Sequence, residues 1–496
     1  MNFQKEGVVY TPERIAYYIA KTAIDKFLIK KINNRFASKI LNLDKFFDKY
    51  ILKSDITKFE YFLDKLKNLT VLDPAVGNGH FLIATLKIIE KYYLRLRDLG
   101  IINWSNYEIR NYVISKTLHG VDIENEAIEN TKKRLLLALE DTIKDSNDNR
   151  GLVNIESNYR VGNAIIGFIR SSEVSHPDGK DYEECFYNKI NNVFKTHKAL
   201  RKLKLPESEK KVMLSNLKPF HWFSEFPIMM EKGGFDIIIG NPPYISNKQL
   251  SSLEKAIFQK IYETPKGLLN TFGIFLECSI KLSHSSSIIS FIVHKNLIRS
   301  NNYDLLRKHL LKHTTIEEII DLGAGAFHFI TAETVIIIIT TKPPTKNHKI
   351  LIKTKLLNQK DFNPQDVFIK HISQKTFLEQ ENYNINLNLQ YDELEIITYI
   401  KENKNCDLNE FFEAKTCIAT GDDEKFLTDH KMSDQYKKTL KGKNIGRFFI
   451  DFDDLYVHYN SKLLHRARDE MIFLKPEKLI MQTISSNLTV AYDNQN

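Results

Sequence analysis

The sequence predicts an α/β chain built on a doubly wound, mostly parallel sheet of seven strands. A helical region precedes the sheet and an α+β unit follows it. Three observations lead there. Short apolar runs rich in Val and Ile alternate with segments whose apolar residues recur at helical spacing. A Gly-x-Gly turn, Gly77-Asn78-Gly79, follows the first of those runs and opens a long apolar helix. Composition then shifts after "TKPPTKNH" (341–348), where two prolines close the last strong strand and Asn, Lys, Asp and aromatics rise.

Residues 1–68 read as helical. "TPERIAYYIAKTAIDKFL" sets Ile15, Ile19, Ala23 and Phe27 on one face, with Thr11 as N-cap and Pro12 in the first helical position. Strands are expected at 70–75, 118–123, 159–164, 235–240, 287–293, 316–322 and 333–340. The helices "HFLIATLKIIEKYYLRL" and "NEAIENTKKRLLLALEDTI" separate the first of them. A polar, Lys-rich insert at 171–230 interrupts the alternation. The organisation is then a helical region (1–68), the sheet domain (69–345), a connector with strands and a helix (346–405), and a last unit (406–496). That unit is expected to be incomplete, because "LTVAY" near the chain end reads as a strand. There is no internal repeat.

The formal net charge is +9, mildly basic and compatible with nucleic acid. The four cysteines lie far apart with no CxxC pair, so neither a metal site nor a disulfide framework is expected. Polar and acidic residues break up the first eighteen residues, unlike a signal peptide. The longest apolar run, "TVIIIIT" (334–340), is too short to span a bilayer and reads as a buried strand. A soluble cytoplasmic protein with no membrane partner is the expectation.

The chemistry-bearing stretches fall at strand ends. "VLDPAVGNGHF" puts an acidic strand end before a glycine loop and a helix N-terminus, a place where backbone N–H groups can approach a ligand. Leu82 stands where a dinucleotide fingerprint wants its third glycine, so that fingerprint fails and an ordinary tight turn stays open. The next strand ends "GVDIE", offering Asp122 either to ribose hydroxyls or as a helix N-cap. "FDIIIGNPPYIS" (235–246) ends a buried strand on Asn241-Pro242-Pro243-Tyr244. Two prolines stiffen that turn and remove two donors, leaving an amide, carbonyls and an aromatic ring. The set suits a planar amino group, held by two acceptors with Tyr244 stacked on its ring. In a duplex such a base must be flipped out. A rigid turn with a packed Tyr is the plainer reading.

"DPAVGNGHF", "GVDIENEA", "GNA" and "GNPPY", in this order, resemble the N6-adenine DNA methyltransferases of restriction–modification systems, in the gamma-class arrangement. "GVVYTPERIA" (7–16), "PFHWFSEFP" (219–227), "SIISFIVHKNLIRS" and "DLGAGAFHFITAETVIIII" resemble further segments of the same domain. The resemblance covers about residues 7–345. It implies a seven-stranded Rossmann-like methyltransferase using S-adenosyl-L-methionine on double-stranded DNA. It implies that Tyr10, Thr11 and Pro12 approach the methionine part of the cofactor. Asp73, Ala75, Gly77, Gly79 and Phe81 would form its first loop. Asp122 would hold the ribose, Ile123 would pack on the adenine moiety, and Asn163 and Ala164 would meet that moiety's edge. Asn241 and the Pro242 carbonyl would take the target amino group, with Pro243 stiffening the turn and Tyr244 stacking on the flipped base. Phe327, or the neighbouring Phe329, would cover the other face. His294 replaces the family's usual Pro and reads as a polar strand end.

"FFEAKTCIATGDDEKFL", "YKKTLKGKNIGRFF" and "KPEKLIMQTISSNLTVAYDNQ" resemble the first half of a TaqI-like specificity domain. There Lys441, Lys443 and Arg447 are candidates for DNA backbone contacts, against a solvated charged face. A restriction endonuclease or a further specificity subunit is a possible partner. Six residues precede Gly7, so an N-terminal nuclease is not expected. Two other readings stand beside this one: a methyltransferase acting on an RNA base or a protein glutamine, and a DNA-binding subunit of a defence complex. The intact glycine loop and Asn-Pro-Pro-Tyr turn argue against a mere binder.

Overall fold

A computed structural model describes residues 11–51, 55–142, 155–174, 182–265, 267, 269–323, 333–355, 367–389, 393, 396, 399–400, 402–485 and 487–494. The chain forms two compact units, Met1–Asn388 and Leu389–Asn496.

The first unit opens with α1 (Glu13–Phe36), α2 (Leu43–Ile51) and α3 (Ile56–Lys67). Ile15, Ile19, Ala23 and Phe27 are buried along one face of α1, as their spacing predicts. The helix starts later than expected: Pro12 occupies the cap position and no side chain caps it. Thr11 is therefore not an N-cap, and its hydroxyl is engaged elsewhere. Deeper along α1, the Tyr18 hydroxyl donates to the buried Glu318 carboxylate (3.0 Å), which also pairs with Lys353 at 2.6 Å. This network ties the helix to the sheet over which it lies. Phe46, Phe47, Phe59 and Phe62 pack edge-on and stacked, joining α2 and α3 to one another.

The sheet has nine strands in the order β3-β2-β1-β4-β5-β7-β6-β8-β9. They are β1 (Val71–Asp73), β2 (Leu118–Asp122), β3 (Tyr159–Val161), β4 (Phe235–Gly240), β5 (Ser283–His294), β6 (Thr315–Gly323), β7 (Thr334–Thr340), β8 (Lys349–Lys355) and β9 (Val367–Ser373). The seven expected strands are β1 to β7. Two more, β8 and β9, come from the stretch read as a connector and extend the edge beside β6. Strands β1 to β5 are mutually parallel, while β7 runs antiparallel between β5 and β6. All seven residues of β7 are buried, which is why four consecutive isoleucines are tolerated there.

From β1 the chain steps outward through β2 and β3, then returns to β4 on the other side. That reversal opens a crevice at the carboxyl ends of β1 and β4. α4 (His80–Asp98) follows β1, and the helix Asn125–Glu140 follows β2. The insert contributes short helices, among them Tyr182–Ile190, Asn192–Thr196, Lys198–Lys202 and Glu207–Ser215.

The second unit holds short strands in a three-stranded sheet and two hairpins. Its clustered core is small, with Phe426, Val457 and Leu464 at its centre. "LTVAY" contributes the strand Val490–Asp493, paired with Lys478–Met481. No described helix is long and apolar enough to cross a membrane.

Candidate active site

The crevice is lined first by the glycine loop. After Asp73 the chain turns through Gly77 (φ +51°) and Gly79 (φ +73°) into α4. Both conformations disfavour a side chain. A Cβ on Gly79 would also press on Thr131 at 3.0 Å, whereas one on Gly77 would meet nothing within 4 Å. The loop is thus closed against its neighbour at Gly79 and open at Gly77. Asp122, at the end of β2, accepts the Gly77 N–H at 2.8 Å and the Glu124 N–H at 3.0 Å. It does not cap the following helix, whose cap position is Glu124. Burial raises the Asp122 carboxyl above its ordinary range. Phe81 turns into the core from the first turn of α4, and Ile123 is 39% exposed.

Asp73 is buried at the end of β1. Its Oδ1 accepts the Ala75 N–H at 3.1 Å, while its Oδ2 is buried with no partner. Burial, with Asp122 nearby, pushes this carboxyl up to about 8. β4 passes close by: a Cβ on Gly240 would lie 2.8 Å from Asp73 Oδ1. Gly240 therefore lets β4, which leads into Asn-Pro-Pro-Tyr, approach β1, which leads into the glycine loop.

Asn163 and Ala164 follow β3, and "PFHWF" braces them. Asn163 N–H donates to the Lys218 carbonyl (2.8 Å), Phe220 N–H to Ile166 (2.7 Å) and Trp222 N–H to Phe168 (2.9 Å). The Trp222 indole N–H donates to the Ala164 carbonyl at 3.0 Å. The fit is close, since a Cβ on Gly167 would sit 2.0 Å from the Phe220 carbonyl oxygen. The buried Cys278 thiol also donates to Ala164 (3.4 Å), and burial pushes it up to about 12, far from a nucleophile.

The Asn-Pro-Pro-Tyr turn closes the crevice. Asn241 Nδ2 donates to Thr11 Oγ1 at 3.2 Å, across 230 residues of chain. The Tyr244 hydroxyl donates to Asn241 Oδ1 at 2.8 Å. Burial holds that hydroxyl well above its ordinary value, so it remains a donor. Pro242 is buried, and the Pro243 carbonyl accepts the Thr271 hydroxyl. Thr271 also accepts the Ile245 N–H (3.0 Å) and donates its own N–H to the Ile245 carbonyl (3.1 Å), stapling the turn to the helix Thr271–Lys281. Tyr244 meets Phe272 and His294 edge-on, at 6.0 and 6.5 Å between ring centres.

The structure thus brings Thr11, Asp73, Ala75, Gly77, Gly79, Asp122 and Asn241 through Tyr244 to one edge of the sheet, with Asn163 and Ala164 after β3. Pro12 sits at the start of α1. Tyr10, Phe327 and Phe329 lie outside the described residues. Both flanks of that last stretch are tied to the chain after β5, since Lys295 pairs with Asp321 (2.8 Å) and Arg299 with Glu333 (2.8 Å). In the second unit, Lys441 pairs with Asp423 (3.1 Å) and Lys443 with Asp453 (2.7 Å), and the Arg447 guanidinium lies over the Phe448 ring. Sequence reasoning missed Thr271 and the contact of His294 with Tyr244. Neither carries a local signal, because both meet the turn only through the packing of β5 and the helix before it. The described residues contain no cluster of side chains suited to a metal ion.

Residues 116–329 match the Eco57I restriction-modification methylase family. A Methanocaldococcus jannaschii protein named as a type II restriction enzyme and methyltransferase is 27% identical, over 96% of this chain and 48% of its own length. The adenine-specific methyltransferase BrxX of Escherichia coli is 20% identical, over 54% of this chain and 25% of its own. This chain thus spans about half of the first relative and a quarter of the second. Among solved structures, the ATP-dependent Type ISP restriction-modification enzyme LlaBIII, bound to DNA, shares the fold with a TM-score of 0.51 at 14% identity, over 92% of this chain and 31% of its own.

Proposed function

We propose, from the premise that this chain carries an Eco57I-type restriction-modification methylase domain, that it is a site-specific DNA adenine N6-methyltransferase and the modification component of a restriction–modification or related defence system. The observation that carries the proposal is the placement of Asn241. Its amide stands at the switch point of the sheet, beside the glycine loop, held by Thr11 and Tyr244.

The residues present suit S-adenosylmethionine. Asp73 keeps a buried oxygen that a cationic or N–H group of a ligand would satisfy. Gly77 leaves open space above the loop. Asp122, Ile123, Asn163 and Ala164 would hold the nucleoside end, and Thr11, Pro12 and Asp73 the methionine end. When bound, the cofactor supplies an electrophilic methyl group on a sulfonium.

The chain's own part follows from physics. An adenine amino nitrogen is a weak nucleophile because its lone pair is delocalised into the ring. Asn241 Oδ1 and the Pro242 carbonyl accept its two hydrogens and localise that lone pair. Tyr244 stacks on the extruded base, replacing the stacking it had in the duplex. Fixing the amino group in line with the methyl makes the transfer effectively intramolecular. The attack is direct: as the N–CH3 bond forms, the S–CH3 bond would break to leave the neutral thioether and the extra amino proton would pass to solvent, so no cysteine nucleophile is required. Sequence would be read by base-edge contacts from the second unit, while basic side chains meet phosphates.

The test supplies unmethylated DNA and methyl-labelled S-adenosylmethionine to the chain and to Asn241→Ala, then digests the DNA to nucleosides. Labelled N6-methyladenine from the wild type alone is the expected result. Label on protein or RNA would sink the DNA reading.

A further inference from the structure

The insert carries a feature that the methyl-transfer site does not use. Between Lys195 and Lys204 the chain reads KTHKALRKLK, with five Lys or Arg residues and no acidic residue. Lys195, Lys198, Arg201, Lys202 and Lys204 are all exposed. Among the described residues none of the five makes an ion pair. The neighbouring bases behave differently: Lys189, Lys210 and Lys211 pair with Glu173, Glu207 and Glu184. Among the described bases of the insert, the ones outside any ion pair are these five and Lys218, whose ammonium donates to the Ile123 carbonyl at 2.8 Å.

That stretch is folded around a cavity of about 300 Å³. Phe194, Leu200 and Leu205 form its apolar lining, and Lys195, Arg201 and Lys204 supply charge around it. Lys204 adopts φ +48°, a left-handed conformation that an L side chain rarely takes, and it does so where the chain turns back to close the cavity. The insert also has a defined place. The helices Asn192–Thr196 and Lys198–Lys202 lean on the helix Ser252–Ile261, which begins eleven residues after Asn241. The basic stretch is therefore attached to the element that leaves the catalytic turn.

We infer that this basic-rimmed cavity binds phosphates of the DNA backbone beside the site where the base is extruded. Its charges bring no base-edge readout. They hold the duplex against the catalytic turn while the second unit reads sequence. The choice of DNA rests on the proposed function; the cavity and its unpaired charges do not.

The test measures binding of a short duplex to the full chain by fluorescence anisotropy, between 50 and 200 mM salt. The variant Lys195→Ala/Arg201→Ala/Lys204→Ala is compared with the charge-keeping Lys195→Arg/Lys204→Arg. Removing one charge that meets a phosphate flattens the slope of log affinity against log salt by about 0.9. Removing three flattens it by about 2.7, so over that fourfold salt range the affinity of the alanine variant falls roughly 40-fold less than that of the wild type. The arginine variant keeps the wild-type slope. A slope unchanged within half a unit, in an alanine variant that melts like the wild type, overturns the inference. So does a wild-type chain that binds RNA or an acidic peptide but not duplex DNA. Methyl transfer is assayed separately: an altered slope without any N6-methyladenine would keep the phosphate site and remove the proposed reaction.

Discussion

Thr11→Val removes a hydroxyl that holds the Asn241 amide while keeping side-chain shape. Thr11 is buried, and its Oγ1 accepts the Asn241 Nδ2–H at 3.2 Å. Valine offers no acceptor, so the 3.2 Å bond from Asn241 Nδ2 is lost. A neutral hydrogen bond contributes about 0.5–1.5 kcal/mol net. If the whole cost falls on the transition state, kcat/KM drops by about 2- to 13-fold. The assay is steady-state methyl transfer to unmethylated duplex, paired with calorimetric S-adenosylmethionine affinity, because Thr11 also neighbours the expected methionine end. A fall in kcat with cofactor affinity kept within threefold is the expected signature. Thr11→Ser, which restores the hydroxyl, should recover most of the loss. Activity of the valine variant within twofold of wild type would refute the reasoning, as would a serine variant as impaired as valine.

Tyr244→Phe keeps the ring and loses only the 2.8 Å bond to Asn241 Oδ1, so it should retain activity within about tenfold. Tyr244→Ala loses the stacking surface, worth about 1–3 kcal/mol per base, and should raise KM for DNA well beyond the phenylalanine variant; equal losses in the two would argue against stacking. Asp73 gives a pH prediction for the cofactor-free chain. Its carboxyl is raised in the folded state to about 8, so folding takes up a proton between the ordinary carboxylate range and that value. The stability this contributes is complete below the unfolded value and is lost as pH rises through the folded one. Asp73→Asn cannot titrate, so wild-type melting temperature relative to the variant should fall between pH 5 and pH 8.5. Parallel curves would mean that Asp73 is ionised when folded.

Much of this protein is legible locally. Seven strands follow from short β-branched runs, and α1 from one apolar face. Pro and Gly chemistry marks the two turns that matter, because a ring that locks φ or a missing Cβ acts on its own few residues. The order of those turns along the chain carries the resemblance to a methyltransferase family, and it is that resemblance which implies the reaction. The tertiary structure decided the rest, and in each case the reason is a contact or a desolvation that no short window contains. Thr11 looked like a helix cap and instead accepts from an amide 230 residues away. Asp122 looked like a ribose ligand or a cap; it is not the cap, and its carboxylate clamps the glycine loop through Gly77. Strands are legible in the connector, but that β8 joins the sheet beside β6, with β9 beyond it at the edge, is decided only by long-range pairing. "PFHWF" is informative by resemblance, but its work as a brace for Asn163 and Ala164 exists only once Trp222 reaches the Ala164 carbonyl. The Lys-rich insert is an ordinary solvated stretch in the sequence. Folding wraps it around a cavity and sets it against the helix that follows the Asn-Pro-Pro-Tyr turn.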